Sequence, residues 1–184
     1  MRLLFKMDRA NYGEKGPVFR RPSVRAIIRD EQGRAALVYS RKYNYYKFPG
    51  GGINKGETDT EALIREVREE TGLKVIPESI REYGNVLRKE RSRDNGIFIQ
   101  DNRYYFCRVE PEAGEQSLDA YEKAEGFELR YVDPATAVDI NMTGSTYPRS
   151  HTMLKRDAGV LQRLIREGFY TTKKERQQEG LENS

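Results

Sequence analysis

The chain has 184 residues, 36% of them hydrophobic and 34% charged, with 33 Lys and Arg against 29 Asp and Glu for a formal net charge of +4. That length suits one domain with a substantial core, no run approaches the roughly 18 apolar residues of a membrane span, and a single cysteine excludes an internal disulfide. The positive balance favours polyanionic ligands without naming one.

The opening, MRLLFKMDRANYGEKG, lacks the apolar stretch and cleavage site of a secretory leader, so a cytoplasmic location is expected. Residues 24–28 and 35–39 read as strands, and Asp30-Glu31-Gln32-Gly33 between them predicts a hairpin. Arg41-Lys42 follows, then Tyr43, Tyr45, Tyr46 and Phe48 just before Pro49-Gly50-Gly51-Gly52. Arg41 is placed to face substrate phosphates, and the rings of Tyr46 and Phe48, which share one face of a short strand, are candidates to stack on a base.

The glycines remove side chains that would keep the backbone from a metal or a phosphate. Thr58 with Glu61 three residues on is a capping box, and Gly72 suits the position past a helix end, so a helix is predicted between them. On it Glu66, Glu69 and Glu70 stand at i, i+3 and i+4, three carboxylates on one face, with Leu63 and Val67 on an adjoining apolar stripe. Acids so placed repel by a few tenths of a kcal/mol per pair (~0.2–0.5), and a divalent cation would convert that liability into binding. An all-oxygen set favours Mg²⁺ or Mn²⁺ over zinc. Arg65, four residues from both Glu61 and Glu69, is positioned to hold an acid in place.

Strands are predicted over 80–88, 97–109 and 127–132, an acidic surface loop over 111–116, a short helix over 134–138 and an amphipathic helix over 152–167 closed by Gly168. Arg88 opens a basic run, Arg88-Lys89-Glu90-Arg91-Ser92-Arg93, and is a second candidate for substrate phosphates. Cys107 reads as core and His151 as a capping or surface residue. Residues 1–172 are expected to form a single domain, with 173–184 a frayed tail.

The frame from Gly51 to Leu73, GGINKGETDTEALIREVREETGL, closely resembles the Nudix box, the signature of enzymes that hydrolyse nucleoside diphosphates linked to another group. The resemblance implies an α/β fold, a Nudix-type α/β/α sandwich with a mixed sheet, in which the box forms a loop, helix and loop. It implies that Glu69 and Glu70 are the principal metal ligands and that Glu66 ligates metal or acts as base. Gly50 would offer its backbone carbonyl to the metal, while Glu57 and Arg65 brace the loop and orient the acids. A further acid beyond the box would be Glu125, with Glu122 second. The implied activity is Mg²⁺-dependent cleavage of a pyrophosphate bond in a small nucleotide-type substrate, a nucleoside triphosphate or another nucleotide derivative such as a nucleotide sugar, with no membrane or nucleic-acid partner. The markers of ADP-ribose and dinucleoside-polyphosphate members are absent near Arg88-Lys89-Glu90, and the turn reads Phe48-Pro49-Gly50-Gly51 rather than the Pro-Gln-Gly-Gly associated with RNA 5′ ends. Family members are often dimers, so a homodimer is compatible with the resemblance, though no stretch marks an interface. The alternative is a non-catalytic nucleotide-sensing module on the same fold; such proteins often lose box acids, and here all three are present.

Overall fold

A computed structural model describes residues 1–13, 16–92, 96–148 and 152–171. The expectations for Arg93, His151 and the tail over 173–184 lie outside the described residues. In chain order the elements are β1 (Leu3–Asp8), β2 (Val18–Ile27), β3 (Ala35–Ser40), β4 (Tyr45–Lys47), α1 (Asp59–Thr71), β5 (Arg81–Arg91) and β6 (Ile97–Phe106). They continue with α2 (Ala120–Glu125), β7 (Phe127–Val132), α3 (Pro134–Asp139) and α4 (Thr152–Arg166). The fold is thus mixed α/β, and none of its described helices is long and apolar enough to cross a membrane. Two compact units divide the chain: Met1–Ile27 with Pro49–Glu115, and Ile28–Phe48 with the chain from Gln116 onward.

The first unit holds a mixed four-stranded sheet in the order β1-β5-β6-β2, with β1 and β5 parallel, β5 and β6 antiparallel, and β6 and β2 parallel. Helix α1 starts where its capping box says it should: the Glu61 carboxylate accepts the Thr58 N–H at 2.8 Å, and Thr58 Oγ1 accepts the Glu61 N–H at 3.2 Å. It stops at Gly72, whose φ of 74° is left-handed and whose N–H bonds the Arg68 carbonyl. Ala62, Leu63 and Val67 are fully buried. Asp59, in the first turn, accepts both a bifurcated bond from Arg103 Nη1 of β6, at 2.8 and 2.9 Å, and the Tyr105 hydroxyl. These bonds tie the start of the helix to the sheet. Cys107 is buried, and burial pushes its thiol up to about 12, so it is inert core as expected.

The second unit has an antiparallel sheet in the order β4-β3-β7. Helix α4 turns Leu154, Ala158, Val160, Leu161 and Leu164 inward, and Leu154 packs with Val38, Tyr45 and Phe127. Asp133 caps α3 by accepting the Ala135 and Thr136 N–H groups, with Pro134 at the first helical position.

The expected hairpin is a correction. The turn exists, with the Gly33 N–H on the Asp30 carbonyl and the Ala36 N–H on the Ile28 carbonyl, but its strand contact is one bridge between Arg29 and Ala35. All ten residues of β2 pair instead with β6, from Val18↔Ile97 to Ile27↔Phe106. Its other edge is taken as well, since the Val24 and Ala26 N–H groups bond the Gly51 and Pro49 carbonyls. A strand with both edges filled has no ladder left to offer β3.

Candidate functional site

The glycine turn is stitched to β2 by those two bonds, and Gly50 is required there by what surrounds it. Gly50 has φ 135°, and a Cβ there would stand 2.2 Å from the Val24 carbonyl oxygen. A Cβ on Gly51 would stand 2.3 Å from the Glu66 carboxylate. At Gly50 the approach is to main chain and only glycine permits it; at Gly51 it is to the end of the Glu66 side chain.

The three acids of α1 sit at three depths. Glu70 is buried, and its Oε2 accepts the Gly50 N–H at 2.9 Å. The Glu66 side chain is 15% exposed and that of Glu69 42%, so Glu69 is the one most open to an arriving ion. Arg65 gathers them. Its Nε and Nη2 bond the two oxygens of Glu57 at 2.7 and 2.9 Å, its Nη1 bonds Glu66 at 2.8 Å and Glu69 at 3.0 Å, and its Nη2 also reaches the Gly52 carbonyl at 3.2 Å. The fork geometry of a guanidinium makes this possible. Hydrogen bonding to Glu57 raises the pKa of Arg65, and the same bond holds Glu57 below the usual carboxylate range. Helical spacing pointed Arg65 at Glu61 as well as Glu69, but Glu61 is committed to its capping box, and Glu57, eight residues back, takes that place.

Among the described residues no group of three or more His, Cys, Asp or Glu stands assembled as a metal-holding cluster. The donor chemistry nonetheless fits a hard divalent cation. Arg65 engages only Oε1 of Glu66 and Oε2 of Glu69, which leaves Glu66 Oε2 and Glu69 Oε1 without a bond to a described residue, beside a turn stripped of side chains.

The remaining candidates fall as follows. Arg88, in the first unit, pairs with Glu90 on β5 and lies 5.8 Å over the Phe98 ring. In the second unit Tyr46 and Phe48 are buried, at 4% and 0% exposure. Tyr46 exchanges two 2.8 Å bonds with the Asn141 amide and packs its ring 4.8 Å from that of Tyr39. The Phe48 N–H reaches Asp157, which forms a buried ion pair with Arg156. Arg41 is exposed, with Glu128 of β7 at 3.8 Å. Glu122 is buried in a second capping box, accepting the Asp119 N–H at 2.8 Å. Glu125, the last residue of α2, accepts the Tyr45 hydroxyl at 2.7 Å. Burial and then that bond raise the Tyr45 pKa strongly, so the phenol stays protonated as a donor. Tyr45 was not picked out in the sequence, where it was one of several tyrosines before the turn; α2 carried a legible signal, Asp119 and Glu122 at capping-box spacing followed by Gly126.

A family model described as the NUDIX domain matches residues 19–153. An RNA pyrophosphohydrolase of Acinetobacter baylyi is 42% identical over 60 residues, 33% of this chain and 35% of that protein. The RNA pyrophosphohydrolase of Edwardsiella ictaluri is 46% identical over 55 residues, 29% of this chain and 30% of that one. The matched stretch spans about a third of the length of these curated relatives. Among solved structures, a NUDIX hydrolase from Nitrosomonas europaea superposes with TM-score 0.51 at 18% identity, covering 85% of this chain and 95% of the other. A MutT protein from Methanosarcina mazei Go1 gives 0.50 at 23%, covering 81% and 95%. At these identities the likeness is one of fold.

Proposed function

The chain belongs to the NUDIX domain family, and from that premise we propose that it is a divalent-cation-dependent hydrolase that cleaves a pyrophosphate linkage in a nucleotide-type substrate by attack of water at phosphorus. The observation that carries this reading is the set of three acids on α1, Glu66 and Glu69 held by one guanidinium and Glu70 bonded to the turn at Gly50, where no side chain fits. The family's sensing modules often lose box acids, whereas Glu66, Glu69 and Glu70 are all present here.

Gly50, Glu66, Glu69 and Glu70 would hold the cation, preferentially Mg²⁺ and alternatively Mn²⁺. Bound there, it supplies neutralisation of the phosphate oxygens and a water of lowered pKa. The protein's own residues do the positioning. Glu70 fixes the turn through the Gly50 N–H, and Arg65 fixes the rotamers of Glu66 and Glu69 while bracing Glu57. Glu66 Oε2, which no described residue binds, would either ligate the cation or receive a proton from the attacking water.

A nucleoside triphosphate is the favoured substrate. The 5′ end of an RNA is the second reading, favoured by the names of the curated relatives and opposed by the Phe48-Pro49-Gly50-Gly51 turn. The test measures phosphate and pyrophosphate release from nucleoside triphosphates, dinucleotides, nucleotide sugars, ADP-ribose and 5′-triphosphorylated RNA with Mg²⁺ or Mn²⁺, beside Glu69→Gln. Turnover of one class, lost by on the order of 10²-fold or more in a folded variant, supports the hydrolase. Nucleotide binding with no turnover in either protein replaces it with the sensing module.

A further inference from the structure

Strand β2 closes one end of the four-stranded sheet, and its two edges use alternate residues. The inner edge belongs to odd-numbered positions: the Pro17 and Ile27 carbonyls accept the Ile97 and Cys107 N–H groups. The outer edge belongs to even-numbered ones, since the Val24 and Ala26 N–H groups bond the glycine turn and the Pro22 carbonyl accepts the Ile53 N–H at 3.4 Å. The turn therefore fills this edge over residues 22–26 only. By the same alternation Val18 and Arg20 each aim an N–H and a C=O outward, and none of these four groups bonds a described residue.

Proteins commonly blunt an open edge with charge or proline, and Pro22 with the two arginines would serve that end. The composition of the stretch argues for more. The first four residues of β2 are exposed and the last five buried, and the exposed four include Val18 at 50% and Phe19 at 44%. Arg20 and Arg21 are exposed, and neither has an ion pair with a described residue. Opposite them on β6 stand the uncharged Ile99 and Gln100, while Asp101, next along that strand, is taken by Arg103 at 2.9 Å and Asn85 at 2.7 Å. Side chains alternate between the faces of a strand, so each face of the open edge carries one apolar group and one guanidinium: Val18 with Arg20, and Phe19 with Arg21.

We propose that residues 18–21 dock an extended acidic segment of a partner protein by strand addition, with the outward groups of Val18 and Arg20 supplying main-chain bonds and the alternating side chains supplying selectivity. A strand docked antiparallel, the sense in which Gly52 already pairs with Ser23, meets Arg21 and Arg20 first and then Phe19 and Val18. Its matching sequence is two acids followed by two apolar β-formers. A second copy of this chain fits poorly, because self-pairing would crowd two arginines from each copy into one four-residue stretch, and like charges across a strand pair repel. The inference goes beyond the hydrolase reading and does not rest on it.

The experiment is an amide NMR titration of the ¹⁵N-labelled full chain, at low salt with EDTA, using the blocked hexapeptide Thr-Glu-Glu-Val-Val-Thr. Its counterpart with Lys in place of Glu and a hexauridylate are run beside it. The acidic peptide is expected to shift the Val18 and Arg20 amides and slow exchange of the Arg20 amide, and the basic peptide to do neither. Arg20→Glu should weaken binding roughly tenfold. Val18→Pro removes an outward N–H that the β6 ladder does not use, and should weaken it roughly fivefold with charge unchanged. Lys155→Glu, the same charge change on exposed α4, should stay within about twofold of wild type. Should Val18→Pro lose amide dispersion, exchange of the Arg20 amide in the wild-type chain reads the same main-chain pairing. No shift at residues 18–21, or an equal loss in Lys155→Glu, overturns the proposal. Hexauridylate binding that Arg20→Glu loses and Val18→Pro keeps overturns it in favour of a nucleic acid, and a dimer in sedimentation that Val18→Pro dissociates overturns it in favour of a second copy.

Discussion

Helices α1 and α2 both end on a left-handed glycine, Gly72 and Gly126, yet their charges are arranged in opposite senses. Around α1 one guanidinium gathers three carboxylates. Around the end of α2 one carboxylate, itself held by a neutral phenol, stands among three cations. In the first region the counter-ion is built into the fold, so the acids are held in place before any ligand arrives. In the second the cations outnumber the nearby acids, with Glu128 3.8 Å from Arg41 and Glu125 lining the same surface pocket as Arg41, Lys42 and Lys123.

The two regions also use glycine differently, and substitutions separate them. Gly50→Ala should do the most damage, because φ 135° is hostile to a side chain and the Cβ would overlap the Val24 carbonyl, which is backbone and cannot yield. A loss on the order of 3 kcal/mol in urea unfolding is expected. Gly126→Ala meets only the flexible Arg41 side chain, so its cost should be about 1 kcal/mol, the penalty of the left-handed conformation. Equal losses at the two sites would erase the distinction.

An effect of similar size concerns the built-in counter-ion. Because Arg65 holds the folded-state pKa of Glu57 below its unfolded value, the stabilisation is present above the usual carboxylate range and is lost as pH falls through the depressed value. Glu57→Gln should therefore cost about 1 kcal/mol near pH 7, and the two proteins should converge in stability as the pH drops below 4. Denaturant midpoints between pH 7 and pH 3 read this directly; a constant gap across that range would show that the carboxylate charge is not what braces Arg65.

Local signals carried well from sequence to structure. Thr58, Glu61 and Gly72 placed α1, and the expected spans 127–132 and 152–167 correspond to β7 at Phe127–Val132 and α4 at Thr152–Arg166, because caps, turns and periodicity are properties of neighbouring residues. Strand partners are not. The β2–β6 pairing joins residues 79 apart in the chain, and nothing near Val24 announces it. Strand β1 escaped notice because, as an edge strand, it buries only Leu4 and so shows little of the alternation that marks a core strand. At the site, helical spacing grouped Glu66, Glu69 and Glu70, whereas the choice of Glu57 over Glu61 by Arg65 depended on a competition that the capping box had already settled. Burial of Tyr46 and Phe48 was equally non-local, since Asn141 and Asp157 that meet them lie about 95 and 109 residues on.

Asp59 makes one more difference to how this molecule behaves in time. Its carboxylate joins the first turn of α1 to Arg103 and Tyr105 of β6, so the helix cannot fray from its N-terminus without releasing side chains of an interior strand. The amide protons of α1 and β6 should then exchange with solvent as one cooperative body, with the slow rates of a sheet rather than the fast ones of a surface helix.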